Sequence, residues 1–308
     1  YHGWLYGRDG KCLEQPYEQA EDPNSTFKDR IRMPAYPVEE LGGLVFAYLG
    51  PEPAPLLPRW ELFVRGGVLR DIGAAVIPCN WLQVMENSLD PVHVEWLHQH
   101  FFNYVQERLG RTEFKGKPVS HKKINFREFE HGIIKTRMLE GEDENNQDWT
   151  VGHPVLFPNI LLSGSTSRPT FQIRVPLDDT HTLHLWYTCY PRADMTAAQE
   201  AIPFYKVPVP GVAADGEPEW PLLDNNSGED MIAWITQGGV VDRTQESLGL
   251  SDKGIILYRR QLKEQMEKVQ TGQDPMNVFR NPAKNECIGL LLEDSKLNSG
   301  SFRPGPRR

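Results

Sequence analysis

The chain has 308 residues, of which 39% are hydrophobic and 10% aromatic, so it is long and apolar enough for one large or two modest domains and too apolar for wholesale disorder. Its formal net charge of −9 argues against a nucleic-acid partner, and no apolar run reaches the ~20 residues that a membrane span requires. Its 4 cysteines are too sparse for a disulfide scaffold, which favours a reducing, cytoplasmic setting.

The first 58 residues predict a small β-domain. Glycines and prolines interrupt short apolar stretches such as residues 43–49. Pro51, Pro53, Pro55 and Pro58 exclude a regular helix or an inner strand from the segment that follows. We therefore predict a domain boundary there, which separates residues 1–58 from residues 59–308.

The rest of the chain predicts an α+β domain in which helices flank an antiparallel sheet. The predicted elements are, in chain order, a strand at 68–79, a helix at 80–100, strands within 121–139, 155–164 and 170–190 with a hairpin turn at 178–180, an irregular excursion at 200–227, and a helix at 252–270.

Three histidines, His93, His98 and His100, lie close together and follow Asp90. By pattern alone, Asp90 could simply cap a helix that carries surface histidines. The alternative is a metal site, because two imidazoles and a carboxylate form the facial triad of non-haem Fe(II) oxygenases. Residues five positions apart differ by ~140° on a regular helix, so His93 and His98 could share an ion only across a π-bulge or a break. His93 and His100 align better in angle but stand ~10.5 Å apart along the axis, which makes that pair less suitable.

A family resemblance strengthens the metal interpretation. The pattern Glu86-Asn87-x-x-Asp90-x-x-His93-x-x-x-x-His98 resembles the mononuclear-iron signature of Rieske-type non-haem iron oxygenase α subunits. The opening Tyr1-His2-Gly3-Trp4 resembles the second half of that family's cluster motif, whose cysteines would precede residue 1. The resemblance implies the later part of a small all-β Rieske domain (residues 1–58) and then a helix-grip catalytic domain (residues 59–308). We accordingly expect an unknown number of residues upstream of this sequence.

The resemblance also implies the ligands of the mononuclear iron. His93 and His98 match the family's two imidazole ligands, and the third ligand is a carboxylate from a helix much later in the chain. Asp230 is the preferred match, with Glu229 as its rival ~100° round the helix. The alternative reading of both acids is that they merely complement the helix dipole in its first turn.

Three further residues receive roles from the same resemblance. His2 matches an imidazole ligand of the [2Fe–2S] cluster, and Cys12 lacks the spacing to replace a cluster cysteine. Asp90 matches a carboxylate that bridges an iron histidine and a cluster histidine of a neighbouring subunit, which implies a ring of subunits, usually a trimer. Asn87 matches a position near the iron, and a polar wall residue is its alternative. His153 is a candidate for the pocket wall.

The implied function is that of a terminal oxygenase. A separate NAD(P)H-dependent reductase or a ferredoxin would supply electrons through the Rieske cluster to Fe(II), which would use O₂ to hydroxylate or O-demethylate an aromatic substrate, by preference an aromatic acid. No Rossmann-type glycine loop is present for direct NAD(P)H binding. Cis-dihydroxylation of an aromatic ring is the alternative outcome. Two other classes stay open: a zinc-dependent hydrolase that uses His93, His98 and Asp230, and a non-catalytic helix-grip ligand-binding protein.

Overall fold

A computed structural model describes residues 2–165, 167–192 and 199–290. Its first part consists of two small antiparallel pairs of strands with one short helix between them, which confirms a β-rich beginning. These elements are β1 (Leu5–Tyr6), β2 (Cys12–Glu14), α1 (Pro16–Glu21), β3 (Val38–Leu41) and β4 (Leu44–Ala47). The helix α1 starts at Pro16, whose fixed φ angle suits the first turn of a helix.

An eight-stranded sheet forms the centre of the molecule, in the spatial order β12-β5-β11-β10-β9-β8-β7-β6. Its strands are β5 (Val68–Ile77), β6 (His121–Phe129), β7 (Gly132–Leu139), β8 (His153–Leu156), β9 (Ile160–Ser165), β10 (Arg168–Pro176), β11 (Thr182–Pro191) and β12 (Phe204–Lys206). All neighbouring strands are antiparallel except β12, which runs parallel to β5. The antiparallel sheet is thus confirmed, with one parallel edge strand that the proline-rich segment 200–227 did not predict.

The predicted hairpin turn joins β10 to β11. Asp178 Oδ1 accepts hydrogen bonds from the backbone N–H of Thr180 at 2.7 Å and from its hydroxyl at 3.0 Å. Such a side-chain-to-backbone contact is what favours Asp at the start of a turn.

Helices cover the sheet, so the predicted α+β class is confirmed. The α-helices are α2 (Glu61–Val64), α3 (Trp81–Asn87), α4 (His93–Glu95), α5 (Phe102–Arg108), α6 (Gln147–Thr150), α7 (Asn226–Thr236) and α8 (Lys253–Gln270), and a π-helical turn (Trp96–Phe101) joins α4 to α5. Short 3₁₀ turns lie at Phe27–Arg30, Thr112–Phe114, Trp220–Leu223, Arg243–Gln245, Leu250–Asp252 and Pro282–Lys284. The single helix predicted at 80–100 is wrong in one respect: it breaks between α3 and α4, where Pro91 has no N–H to donate.

The N-terminal strands pack against the large sheet. Leu41 belongs to the same buried cluster as Trp60 and Phe63. The Tyr187 hydroxyl on β11 donates to the carbonyl of Gly42 at 2.8 Å. The proline-rich segment therefore does not interrupt the packing, and the division into residues 1–58 and 59–308 stays a prediction.

The long helix α8 lies against the other half of the sheet. Its Tyr258 is buried in a cluster with Met85, Ile133 and Phe157. At Gly254 the helix approaches so closely that a Cβ would stand 2.6 Å from the carbonyl oxygen of Leu89. This packing fixes the end of α3, and with it the loop that leads to His93. None of the helices among the described residues combines the length and apolar character needed to cross a bilayer.

Candidate metal centre

The loop after α3 is built around Asp90. Its Oδ1 accepts a hydrogen bond from the backbone N–H of Val92 at 2.7 Å, and the N–H of His93 lies 3.4 Å from the same oxygen. Asp90 thereby satisfies N–H groups that have no partner inside the helix that follows, as the capping interpretation predicted.

The π-helical turn Trp96–Phe101 brings His93 and His98 together. Their ring centroids are 5.1 Å apart, although the two residues are five positions apart in the sequence. A regular helix would turn the two side chains ~140° away from each other. The distortion predicted from this spacing is therefore confirmed, and it places both imidazoles on one face.

Asp230 reaches the same point from α7. That helix begins after Asn225, whose Oδ1 accepts a hydrogen bond from the N–H of Gly228 at 3.0 Å. Asp230 Oδ1 lies 3.2 Å from Nε2 of His98 and 3.8 Å from Nε2 of His93. Within the described part of the chain, these three residues form the one cluster of His, Cys, Asp or Glu whose ligand atoms all lie within 4.8 Å of one another.

The outer nitrogens of the two imidazoles are held by acceptors. His93 Nδ1 donates to the backbone carbonyl of Asp90 at 2.6 Å, and His98 Nδ1 donates to Oε2 of Glu229 at 2.7 Å. Because a carbonyl oxygen can only accept, Nδ1 of His93 carries the proton and its Nε2 keeps a lone pair. On both rings Nε2 is the nitrogen that lies nearest Asp230, which makes it the potential ligand atom.

Glu229 does not lie where a third metal ligand would have to be. It is fully buried and lies on the Nδ1 side of His98, away from the point where the three ligand atoms meet. The geometry thus favours Asp230 over Glu229 as the third ligand. Sequence reasoning missed the contact of Glu229 with His98, although its position next to Asp230 was the available signal.

The side chain of Asp90 contacts His93 less closely than the resemblance implied. Its Oδ2 stands 3.7 Å from His93 Nδ1, beyond hydrogen-bond distance, and the backbone carbonyl makes the contact instead. The physical reason is that Oδ1 is already engaged by the N–H of Val92. Its link to a histidine of a neighbouring subunit stays a prediction.

The pKa values of the two histidines are shifted in opposite directions. Burial lowers the pKa of His93 to about 4, so this imidazole is neutral at pH 7. Burial also acts to lower the pKa of His98, but the carboxylates of Asp230 and Glu229 outweigh it and raise that pKa to about 10. Without a metal, the cluster therefore holds a proton on His98 that a metal ion would have to displace.

The chemistry of this donor set fits a divalent metal ion. Two Nε2 atoms and one carboxylate oxygen converge, and Asp230 Oδ1 is buried with these imidazole nitrogens at 3.2 and 3.8 Å. A buried carboxylate needs a cation beside it, and without a metal the protonated His98 fills that role. Two imidazoles and one carboxylate suit non-haem iron and also zinc.

The three ligand residues border a cavity of about 450 Å³. Apolar, polar and basic side chains share its wall, and these include Asn87, Lys135, Arg137, His153, Leu161, Leu162, Arg168, Gln172, Trp186 and Val207. The prediction that His153 lines the pocket is confirmed, and Asn87 also lies in the wall, although its role stays a prediction. Sequence reasoning missed Lys135 and Arg137, although their alternate positions on a predicted strand put them on one face.

His2 lies far along the chain from this cluster, in the segment before β1. It is exposed, and the following Gly3 adopts a φ of +74°. Cys12 is buried at 5% exposure, and its thiol donates to the carbonyl of Glu14, as expected for a residue that packs in the interior. The role of His2 as a cluster ligand stays a prediction.

Comparisons with known proteins agree on one group of enzymes. A family model described as LigXa C-terminal domain like matches residues 223–285, the segment that carries Asp230. The chain is 43% identical over 292 residues to the 5,5′-dehydrodivanillate O-demethylase oxygenase subunit of Sphingobium sp. strain SYK-6, with 94% of this chain and 66% of that protein covered. It is 32% identical to the phenoxybenzoate dioxygenase subunit alpha of Ectopseudomonas oleovorans, with 98% of this chain and 71% of that protein covered.

The fold of this chain resembles that of solved structures. The structure of NdmA from Pseudomonas putida CBB5 with caffeine matches with a TM-score of 0.58 at 18% identity, over 88% of this chain and 72% of that one. At this identity the likeness concerns the fold alone. The chain spans 66% and 71% of the length of the two curated relatives.

Proposed function

We propose a function from the premise that this chain belongs to the Rieske-type non-haem iron oxygenase α subunits. The proposal is that it forms the catalytic part of a terminal oxygenase, which uses O₂ and electrons from a partner protein to O-demethylate or hydroxylate an aromatic acid. The observation that carries it is the convergence of His93 Nε2, His98 Nε2 and Asp230 Oδ1 at the wall of a cavity of about 450 Å³. Three protein ligands leave further positions of a metal open to that cavity.

The cofactor would be a mononuclear Fe(II) held by His93, His98 and Asp230. Bound there, the iron would supply the activation of O₂ and the oxidation of the substrate's C–H bond. The chain's own residues orient the ligands: the Asp90 carbonyl and the Glu229 carboxylate fix the two imidazole rings and keep Nε2 free of a proton on His93.

The apolar part of the wall suits an aromatic ring. Leu161, Trp186 and Val207 line the cavity, so a planar apolar substrate would displace water from these side chains when it binds. Polar side chains on other parts of the wall, such as Asn87 and Gln172, are placed to orient substituents.

The relatives' names favour O-demethylation. The relative at 43% identity is a 5,5′-dehydrodivanillate O-demethylase subunit, whereas the relative at 32% identity is a dioxygenase subunit. In O-demethylation, one methyl ether, one O₂, two electrons and two protons give a phenol, formaldehyde and water. Ring cis-dihydroxylation is the second candidate and releases no formaldehyde.

The electrons would come from outside this chain. Both curated relatives are named as subunits of oxygenases, which supports a separate NAD(P)H-dependent reductase or a ferredoxin as partner. His2 would ligate a Rieske [2Fe–2S] cluster on the path of these electrons in a chain that also carries the upstream half of the motif. A trimer with electron transfer between subunits is the assembly that we propose. A reducing, cytoplasmic setting is supported by Cys12, Cys79 and Cys189, which are buried free thiols.

Iron binding is tested with the purified chain. Anaerobic loading with Fe(II) should give about one iron per chain, and nitric oxide should produce the EPR signal of a ferrous nitrosyl centre with open positions. His93→Ala and His98→Ala should each lose the iron. His181→Ala is the control, because the His181 side chain is 46% exposed and hydrogen-bonds to Asp178 and Thr180 in the hairpin turn. Retention of iron by both ligand variants would overturn the proposal.

Turnover is tested with a chain that carries the upstream motif, together with a reductase and NADH. A methoxylated aromatic acid should yield formaldehyde and the phenol in equal amounts. A cis-diol without formaldehyde would select the dioxygenase candidate. Iron-free zinc binding with hydrolysis of an ester would favour the hydrolase class, and binding of the acid without any O₂ uptake would favour a non-catalytic ligand-binding protein.

A further inference from the structure

Basic side chains form part of the wall of the same cavity. Lys135 and Arg137 are two positions apart on β7, so their side chains leave the strand on the same face, and both line the cavity that the metal ligands border. The neighbouring strand β8 contributes His153, which pairs in register with Lys135. With Arg168, which also lines the cavity, three basic side chains contribute to one cavity wall in a chain whose formal net charge is −9.

In the described part of the chain, the Lys135 ammonium forms no direct pair with a carboxylate. Among the residues that the structure describes, no hydrogen bond and no ion pair within 4.0 Å involves its Nζ, and Asp90 and Asp230 act on it only at longer range. Burial lowers its pKa to about 8, so it remains mostly protonated at neutral pH. The Lys135 side chain is partly buried, and an anion in the cavity would stabilise its charged form.

Arg137 is anchored at one edge of its guanidinium. Its Nε donates to Oδ2 of Asp148 at 3.1 Å, and Asp148 Oδ1 lies 3.3 Å from Nε2 of His153. The pKa of Asp148 is lowered, since His153 and Arg137 outweigh the effect of its burial, so the carboxylate is ionised and holds Arg137 in place. The two terminal nitrogens of Arg137 make no hydrogen bond within the described residues and remain available to a second anion.

We propose that Lys135 and Arg137 bind the carboxylate of an aromatic acid, while the apolar wall of the same cavity receives its ring. The inference rests on the proposed function and deepens it, because it assigns the specificity for an anionic aromatic substrate to two residues. Asp148 already pairs with one edge of the Arg137 guanidinium, and the substrate carboxylate would pair with its two terminal nitrogens. A planar guanidinium and a point-like ammonium together suit the two oxygens of one carboxylate.

The test compares 3-methoxybenzoate with its neutral amide, 3-methoxybenzamide, on the iron-loaded chain under anaerobic conditions. Neither probe carries a phenol, so a preference for the acid reports the carboxylate and not a phenolate. Isothermal titration should show that the acid binds at least about tenfold more tightly than the amide, the size expected for a charge-assisted contact. Iron content is measured for every sample, so that a change in ligand binding is separated from a loss of metal.

Variants assign the preference to residues. Lys135→Met should abolish most of the acid-to-amide ratio and Lys135→Arg should restore part of it, since the charge returns. Arg137→Lys should reduce the ratio through loss of the planar fork. Lys122→Met is the matched control, because Lys122 is exposed on the adjacent strand β6, and it should keep the wild-type ratio. If Lys135→Met does not fold, Lys135→Gln gives the same readout.

The outcomes separate this inference from the proposed function. An acid-to-amide ratio near one in the wild type, or a ratio that Lys135→Met and Arg137→Lys leave unchanged, would overturn the carboxylate site. If such a protein still released formaldehyde from a methoxylated substrate, the proposed function would stand. If the ratio responded as expected but neither probe supported O₂ uptake or formaldehyde release, the carboxylate site would stand and the proposed function would fail.

Discussion

Glu229 Oε2 accepts a hydrogen bond from His98 Nδ1 at 2.7 Å, and this buried contact turns the opposite nitrogen of the ring toward Asp230. The two acidic neighbours of α7 therefore have different tasks. Asp230 offers an oxygen at the point where a metal would bind, and Glu229 fixes the ring that supplies one nitrogen. The arrangement orders the site before any metal arrives.

Glu229→Gln should weaken iron binding without abolishing it. The amide keeps the size of the side chain and an oxygen that can accept from His98, but it removes the negative charge that stabilises a ligand with a bound cation. We expect the affinity for Fe(II) to fall by about 10–100-fold, as is typical when the partner of a ligating histidine is changed. Anaerobic Fe(II) titration measures it. Glu267→Gln on the exposed face of α8 is the control, and an equal loss in both variants would contradict the orienting role.

The parts of the site that could be predicted from the sequence are those fixed by spacing along one segment. The interval between His93 and His98 demanded a helical distortion, and the π-helical turn supplies it. The contact of Asp90 could not be predicted in its atomic form, because the competition between its own carbonyl and carboxylate depends on the loop geometry. In the same way, the basic wall of Lys135 and Arg137 needed the order of the strands, since only the assembled sheet shows which face of β7 meets the cavity.

The same contrast between local and long-range determinants applies to the fold. The turn at Asp178 is a local hydrogen-bonding motif, and it was predictable from three residues. The parallel edge strand β12 depends instead on packing between segments more than 100 positions apart, because it pairs with β5 over Ile72 to Ala74. No local pattern records such a pairing, and the prolines around it argued against a strand.

Binding of an aromatic acid should weaken as the pH rises through about 8. Burial and the charges of Arg137 and Arg174 lower the pKa of Lys135 to about 8, while Asp90 and Asp230 act in the opposite direction. Above that pH the ammonium loses its proton and can no longer pair with a carboxylate. The dissociation constant of 3-methoxybenzoate should therefore increase between pH 6.5 and pH 9.5, a range that extends about 1.5 units to either side of that pKa. The charge of Lys135 acts in turn to lower the pKa of His93 and that of His153.

The amide and the variant provide the controls for this pH profile. 3-Methoxybenzamide should bind with little dependence on pH over the same range, and Lys135→Met should remove the dependence for the acid. The contribution of Lys135 to the free energy of unfolding should change with pH in the opposite sense to the affinity for the acid. The pKa of Lys135 is lowered from 10.5 to about 8 on folding, so between these values the unfolded chain binds more protons and this residue's contribution to the free energy of unfolding rises with pH. A pH profile shared by acid and amide would contradict the assignment to Lys135.

Glu86→Ala should destabilise the segment that carries the cavity residue Asn87. Glu86 is 7% exposed, and its two oxygens accept from Arg259 on α8 at 2.6 and 3.0 Å. A second cation, Arg243, donates to it at 2.8 Å. Within the described residues, removal of the carboxylate leaves Glu246 as the remaining acidic partner of both guanidinium groups, so we expect the free energy of unfolding to fall by about 2–4 kcal/mol. Urea denaturation followed by circular dichroism measures the change.

An exposed ion pair between α8 and β6 gives the control for Glu86. Arg260 and Glu128 lie 3.2 Å apart, but their side chains are 59% and 46% exposed. Glu128→Ala should therefore cost less than about 1 kcal/mol, because water already solvates both charges. Equal effects of the two substitutions would show that burial of Glu86 does not strengthen its network.

Gly228→Ala should damage the metal centre through the backbone of α7. A Cβ at this position would stand 1.8 Å from the carbonyl oxygen of Leu222, and neither backbone can give way without moving the start of the helix. Because Asp230 lies two residues further on, the shift would carry its carboxylate away from His98. We expect a loss of about 1–3 kcal/mol in the free energy of unfolding together with reduced iron occupancy. Gly66→Ala is the control, since a Cβ there meets nothing within 4 Å. Full iron occupancy in Gly228→Ala would show that the position of Asp230 does not depend on this close approach.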